Sequence, residues 1–293
     1  MSSGFLSREQ KMKLASFSIN HVQHYGIIIE DGIIDLKKRF PHYSSLKYFL
    51  AHLGDIDHPR LYDRSADYAL DEVTFLPVIP DPQKILCVGM NYQAKREEFN
   101  EESPAPTLFI RFADSQTGHR CPLIKPHLSE QFDYEGELAV IIGKAGRHIP
   151  TSAALEHVAG YSCYMDGSVR DWQHAWFTAG KNWPSTGSFG PWMVTADELA
   201  DPQTLNIITR LNGKVVQEDN TAHMVRTIPE LIAYISAFCP LQPGDVILTG
   251  SPGGVGKKRQ PPLFLKPGDI TEVEIEQIGC LINTVAEEVK RDS

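Results

Sequence analysis

Apolar and polar positions alternate in short runs along most of this chain, and no apolar stretch reaches the length of a membrane span. Lys13-Leu14-Ala15-Ser16-Phe17 and Tyr25-Gly26-Ile27-Ile28-Ile29 read as short strands. Asp31-Gly32 reads as a hairpin turn, with Ile33-Ile34-Asp35-Leu36 as the returning strand. Residues 45–53 predict a short helix, and the proline-dense Leu76-Pro77-Val78-Ile79-Pro80-Asp81-Pro82 reads as a linker. Beyond it the pattern predicts a strand over 84–88, a short helix over 93–99 and a strand over 107–112. Further strand patterns cover 137–142, 205–211, 246–248 and 271–278, separated by turns of which Asn212-Gly213 is the clearest. Helices are expected over 152–158 and 229–238, the second with Thr227 as its cap. The expectation is a mixed α/β, β-dominated protein, with a small N-terminal β-rich domain over 12–80 and a larger body over 81–289.

Composition narrows the functional classes more than the fold. The 293 residues are 42% hydrophobic and 22% charged, ordinary for a globular chain with a substantial core. The formal net charge of -9, from 28 basic and 37 acidic residues, opposes broad contact with a phosphate backbone, so no nucleic-acid partner is expected. A local basic pocket for a small anion is compatible with that balance. Residues 1–13 are polar and lack an apolar signal core, so they read as a flexible tail ahead of a chain that begins in earnest near Met12. Cys87, Cys121, Cys163, Cys239 and Cys280 are dispersed without a CxxC pair and read as small buried hydrophobes kept reduced. From them a cytoplasmic location is expected.

The candidate chemistry concentrates in Phe132-Asp133-Tyr134-Glu135-Gly136-Glu137-Leu138-Ala139-Val140-Ile141-Ile142. Residues i and i+2 of a strand point to the same side, so Glu135 and Glu137 converge at the mouth of an apolar run. Either they form a solvated acidic edge or they hold a hard cation. Oxygen-only ligation suits Mg²⁺, Mn²⁺ or Ca²⁺ better than zinc. Asp166, in Tyr164-Met165-Asp166-Gly167-Ser168, is a third carboxylate, presented either by an ordinary turn or at a pocket rim. Arg170, Gln173 and Lys181 follow it. Arg170 suits a bidentate grip on a carboxylate, and Lys181 suits neutralisation of an enolate. The glycine-rich Gly250-Ser251-Pro252-Gly253-Gly254-Val255-Gly256 has neither the order nor the lysine of a nucleotide loop and reads as backbone packed around a site.

Taken in order, several segments resemble the fumarylacetoacetate hydrolase family over residues 84–285: Gly89-Met90-Asn91-Tyr92, the acidic motif, residues 166–173, Leu211-Asn212-Gly213, Gln217, residues 241–252 and residues 264–269. The resemblance implies a β-roll body over 81–289 that holds Mg²⁺ or Mn²⁺ on Glu135, Glu137 and Asp166, in a protein that forms homodimers. It implies a 2,4-diketo acid or related oxo acid as substrate, with Tyr92, Arg170, Gln173, Gln217 and Thr249 at the substrate and Lys181 at its developing charge. One position departs from the family pattern. Lys95 stands where family hydrolases carry a histidine, followed by Glu98 where they carry its glutamate partner. A lysine titrating near ~10.4 is a poor base at neutral pH unless burial or neighbouring cations lower that value. Three readings follow: Lys95 is a base of lowered pKa, Lys95 is the electrostatic partner of the base Glu98, or hydrolysis is lost. The expected activity is metal-dependent hydrolysis of a C–C bond in an acylpyruvate. The alternatives are tautomerisation or decarboxylation of an oxo acid by the same enolate chemistry, and an oxo-acid-binding protein without turnover.

Overall fold

A computed structural model of the chain describes residues 12–53, 65–199 and 201–289. The expected tail over 1–11 lies outside the described residues. The N-terminal strands β1 (Lys13–Ile19), β2 (Val22–Ile29) and β3 (Gly32–Asp35) form a meander. Gly32 at φ 145° closes the predicted hairpin, where a Cβ would meet the Tyr68 carbonyl oxygen at 2.2 Å. Asp35 then caps the short helix α1 (Leu36–Arg39), and α2 (Leu46–Leu50) follows within the predicted span. After β4 (Thr74–Phe75) come β5 (Ile85–Gly89), α3 (Gln93–Phe99) and β6 (Thr107–Arg111), each within about a residue of its sequence expectation.

The body continues through β7 (Gln116–Thr117), β8 (Leu123–Lys125), β9 (Phe132–Asp133) and β10 (Gly136–Ile142). Next are β11 (Val158–Met165), β12 (Ser168–Val169), the four-residue α4 (Thr178–Lys181) and β13 (Gly187–Thr195). It closes with β14 (Asn206–Leu211), β15 (Lys214–Asn220), α5 (Ile228–Phe238), β16 (Val246–Leu248), β17 (Ile270–Ile275) and β18 (Gly279–Glu287). The cap of α5 is as predicted. Thr227 and Glu230 make a reciprocal capping box, and Pro229 occupies the first turn, where its missing N–H costs nothing. The α-helix expected over 152–158 is instead a 3₁₀ run, Thr151–His157, entered from Pro150. Residues 143–157 link β10 to β11, and the last seven of them take the tighter i→i+3 turns.

Among the described residues the main sheet orders as β3-β2-β1-β13-β11-β10-β16-β5-β6, with β4 on β1 and β7 on β13. Lys13 and Leu14 pair with Val194 and Met193, so hydrogen bonding runs straight across the boundary expected near residue 80. A second sheet, β15-β14-β17-β18-β8, packs with α5 on one face. There Leu138, Val140 and Ile142 meet Ile207, Val273 and Ile275. On the other face Ala139 and Ile141 meet Leu14, Ile27 and Phe49 of the N-terminal region. Both faces of β10 are therefore covered, which explains why its sequence is an unbroken apolar run rather than an alternation.

One seam of this packing carries a proton-sensitive group. Arg120 N donates to Ile282 O at 2.8 Å, and Asn283 Nδ2 to Gly118 O at 2.9 Å, tying β18 to the 118–121 segment. Between them the buried His119 accepts from Ile282 N through Nδ1 at 3.1 Å and lies edge-on to Phe75. Burial, with the nearby Arg120 charge, lowers its pKa to about 4. The unfolded chain titrates this imidazole near ~6.5, so between those values the native state binds fewer protons. The stability this neutral imidazole contributes is therefore complete above about pH 6.5 and is lost as pH falls toward 4. We expect His119→Gln to flatten that part of the urea-midpoint profile. An unaltered acid slope would assign the proton uptake to another group.

Candidate active site

Strand register, more than local spacing, assembles the site. Glu135 and Glu137 flank Gly136 at the start of β10, with 137, 139 and 141 on one face. Antiparallel pairing sets Gly136 against Met165 and Glu137 against Tyr164, and Asp166 N donates to Glu135 O at 2.8 Å. The distant Asp166 thus arrives opposite Glu135, and one carboxylate oxygen from each of the three lies within 4.8 Å of the others. All three side chains are buried. Gly136 permits this approach, because a Cβ there would stand 2.1 Å from Thr209 Oγ1 on β14.

Cations surround the cluster. Lys181, on α4, donates to Glu135 Oε2 at 2.7 Å, to Ser168 Oγ at 2.6 Å and to Asp166 Oδ2. Arg170 Nη2 donates to Glu135 Oε1 at 2.7 Å and its Nε to Asp133 Oδ2 at 2.8 Å. Lys95 Nζ, on α3, lies 2.8 Å from Glu135 Oε1 and 2.9 Å from Ser251 Oγ. Arg111 Nη1 donates to Asp166 Oδ1 at 2.6 Å, with its other donors on Gly167 O, Ser115 and Thr186. Burial alone would raise the Glu135 pKa, yet Arg170, Lys181 and Lys95 hold it well below the usual carboxylate range. Glu137 goes the other way. Burial and the charges of Asp166 and Glu135 push its carboxyl well above that range. Among the described residues no cationic side chain is ion-paired with it, and its Oε2 accepts only the Gly250 backbone N–H at 2.9 Å.

That imbalance tests whether a metal fits. Three converging carboxylates supply an all-oxygen donor set, and one of them lacks a counter-charge. A divalent hard cation on Glu135, Glu137 and Asp166 would satisfy both, with coordination positions left over. The three residues are therefore a candidate metal-binding triad. The adjoining pocket is lined by Lys95, Phe109, Arg170, Phe177, Lys181 and Ser251, with Val88, Gly89 and Met90 along β5 and its end.

The remaining sequence-derived candidates lie behind this pocket wall or beside it. Gln217 accepts from Gly136 N at 3.0 Å and donates to Pro252 O at 2.9 Å, so it braces the ligand strand against the glycine-rich loop. Thr249 Oγ1 donates to Leu138 O at 2.9 Å. Gln173 Oε1 accepts from Arg170 Nη1 at 3.2 Å, while its buried Nε2 has no hydrogen-bond partner among the described residues. Tyr92 is fully buried at the cap of α3, its hydroxyl unpartnered among the same residues. Glu98 shares a face of α3 with Lys95 and receives the Gly254 N–H; burial raises its pKa against the opposing field of Lys95.

Four contributors escaped the sequence reading: Arg111, Asp133, Ser168 and Ser251. Asp133 is part of the quoted acidic motif. Its buried carboxylate accepts from Tyr134 N, Gly256 N, Lys257 N and Arg170 Nε, joining the glycine-rich loop to the arginine beside Glu135. Arg111 carried one available signal, a cation ending an otherwise apolar strand in Leu108-Phe109-Ile110-Arg111.

Comparison with known proteins places the chain. The model of the fumarylacetoacetate (FAA) hydrolase C-terminal family matches residues 84–286, and the chain belongs to this family. It is 46% identical over 220 residues to oxaloacetate tautomerase FAHD2A, mitochondrial, of Homo sapiens, covering 73% of this chain and 70% of that protein. Among solved structures, a fumarylacetoacetate hydrolase from Exiguobacterium antarcticum superposes with a TM-score of 0.82 at 35% identity, over 94% of this chain and 100% of that one. Maleylpyruvate hydrolase from Sphingobium sp. SYK-6, in complex with manganese(II) and pyruvate, gives 0.79 at 29% identity, over 95% and 100%. These structures share the strand-rich mixed α/β fold. The expected cytoplasmic location is overturned, because similar proteins from Homo sapiens, Bos taurus and Xenopus laevis are all named as mitochondrial. Free thiols report a reducing environment, not the compartment that supplies it.

Glu137 provides the direct test of the metal reading. Its raised pKa means that a cation must displace a proton, so affinity should rise with pH as that proton is lost. Calorimetric titration of Mn²⁺ in two buffers of different ionisation enthalpy should reveal net proton release. Glu137→Ala should weaken binding by at least about 100-fold, the upper end of what residues behind a metal ligand contribute. Unchanged affinity in that variant would remove Glu137 from the ligand set.

Proposed function

We propose that this member of the fumarylacetoacetate hydrolase family is a divalent-metal-dependent tautomerase of a small oxo acid such as oxaloacetate. Lys95 carries the reading. Where hydrolysis calls for a base to activate water, this chain places an ammonium donating to Glu135 and Ser251. With Lys181 and Arg170 it supplies positive charge for an enolate oxygen, a need common to every reaction of this class. The 46% identical human relative, named an oxaloacetate tautomerase, supports the same choice.

A Mg²⁺ or Mn²⁺ ion on the triad would act as a Lewis acid toward the keto oxygen. Arg170 and Lys181 hold the carboxylate end, and Gln173 orients Arg170 through its carbonyl. Glu98, with a pKa already raised, takes the proton from the carbon beside the keto group and returns it to the oxygen. The bond broken is C–H and the bond formed is O–H. No water is consumed and the carbon skeleton stays intact.

Hydrolysis is the second reading, favoured by the raised pKa of Glu98 and by the two solved relatives that are named hydrolases. A homodimer belongs to the same proposal. The edge strand β6 exposes Ile110, and Phe112 beyond it is also exposed, an open pairing edge of the kind a second copy can cover.

Incubation with oxaloacetate and with an acylpyruvate in Mg²⁺ and Mn²⁺, products identified by mass, decides between the reactions. We expect faster keto–enol exchange of oxaloacetate with its mass unchanged, and a loss of about 100-fold in Lys95→Met. Release of pyruvate and a carboxylic acid from the acylpyruvate, without accelerated exchange, would establish hydrolysis instead. Sedimentation of the full chain should give a dimer that Ile110→Glu dissociates; a wild-type monomer would end that part.

A further inference from the structure

One arginine beside the site is used by none of the steps above. Arg259 follows the glycine-rich loop, and among the described residues it has no carboxylate partner. Its guanidinium spreads over three neutral oxygens instead. Nε donates to the Tyr134 hydroxyl oxygen at 2.8 Å and to Gly254 O at 3.2 Å, and Nη2 donates to Val216 O of β15 at 2.5 Å. The Tyr134 hydroxyl in turn donates to Gly254 O at 3.2 Å.

These contacts converge on Gly254. Its φ is 92°, and a Cβ there would stand 2.6 Å from Val216 O, so the loop turns tightly against β15 at this residue. While Arg259 and Tyr134 hold its carbonyl, its N–H reaches both carboxylate oxygens of Glu98 at 3.3 Å. Asp133 takes Gly256 N and Lys257 N at 2.8 and 3.0 Å, so residues 133 and 134 fix the loop on either side of Val255. Burial raises the Glu98 pKa; Lys95, the Gly254 N–H and Lys258 oppose it, and Asp133 adds to it. Lys95 is on the same helix, Asp133 comes from β9, and the Lys258 ammonium lies 4.4 Å from the centre of the Phe99 ring. Arg259 makes no hydrogen bond to Glu98 and reaches it through Gly254.

We propose that Arg259 is a positioning residue for the catalytic base: it clamps Gly254 against Val216, so that the Gly254 N–H holds the Glu98 carboxylate in place. The inference rests on Glu98 as the base of the reaction proposed above. A planar guanidinium spans two carbonyls and a hydroxyl at once, whereas an ammonium meets them as a point charge. The Gly254 N–H also favours the ionised carboxylate, the form that accepts a proton. Releasing the clamp leaves Glu98 protonated to higher pH, so the acid limb of activity moves up.

The test compares the full wild-type chain with Arg259→Gln, Arg259→Lys and Glu98→Gln. Titration of Glu98, followed by carboxyl-carbon NMR and assigned by its disappearance in Glu98→Gln, reads the clamp without turnover. Its midpoint in Arg259→Gln should rise by about one pH unit, a value independent of how much of the chain is folded. In Mg²⁺, with oxaloacetate or an acylpyruvate as the wild type converts, Arg259→Gln should lower kcat at neutral pH by at least about tenfold. That is the worth of one hydrogen bond to a charged group. KM should stay within about twofold, because a bond to the base serves the transition state. Arg259→Lys, which keeps the charge without the fork, should fall between. A wild-type midpoint and kcat in Arg259→Gln would overturn the clamp, and full recovery in Arg259→Lys would overturn it by assigning the effect to charge alone. Wild-type turnover in Glu98→Gln would remove the base itself and the clamp's purpose with it, a failure distinct from that of an inactive Glu98→Gln beside a fully active Arg259→Gln.

Discussion

Three buried carboxylates forced onto one spot are the constraint around which the rest of this structure is arranged. With their oxygens within 4.8 Å of one another, any two of them would repel by about 3–4 kcal/mol if both were ionised, at an effective dielectric constant near 20. Burial removes the water that would otherwise relieve them. The fold answers with a shell of cations drawn from four separate elements: Lys95 from α3, Arg111 from β6, Arg170 beyond β12 and Lys181 from α4. With Asp133 included, four carboxylates face four cationic side chains, so the cluster is balanced on paper. The balance is uneven in space. Glu135 is paired three times over and Glu137 not at all. That asymmetry gives a divalent ion its place, and with such an ion the cluster would carry excess positive charge suited to an anionic substrate.

The same shell shapes the chemistry the site can perform. Cations that neutralise buried carboxylates in the resting protein are also the groups that can stabilise an enolate. Lys95 is the clearest case. Its bonds to Glu135 and Ser251 commit its amino group as a donor. Catalysis that needs enolate stabilisation is served by such an arrangement, whereas catalysis that needs activated water must find its base elsewhere. The glycine-rich loop belongs to this design. It meets Glu137 through Gly250, Lys95 through Ser251, Glu98 through Gly254 and Asp133 through Gly256. Backbone N–H groups, not a phosphate ligand, explain its composition.

The chain's own residues dictated much of this before any contact was known. Periodicity located most central strands, Thr227 was legible as a helix cap, and Glu135 and Glu137 had to share a face because strand side chains repeat every two residues. What folding alone decided was which distant segments meet. Pairing of β10 with β11 delivered Asp166, β6 delivered Arg111, and the joining of β1 to β13 merged two expected domains into one sheet. The physical reason is range: side-chain direction and capping depend on neighbours a few residues away. Register and charge compensation depend on partners that the chain brings close only when its core is packed.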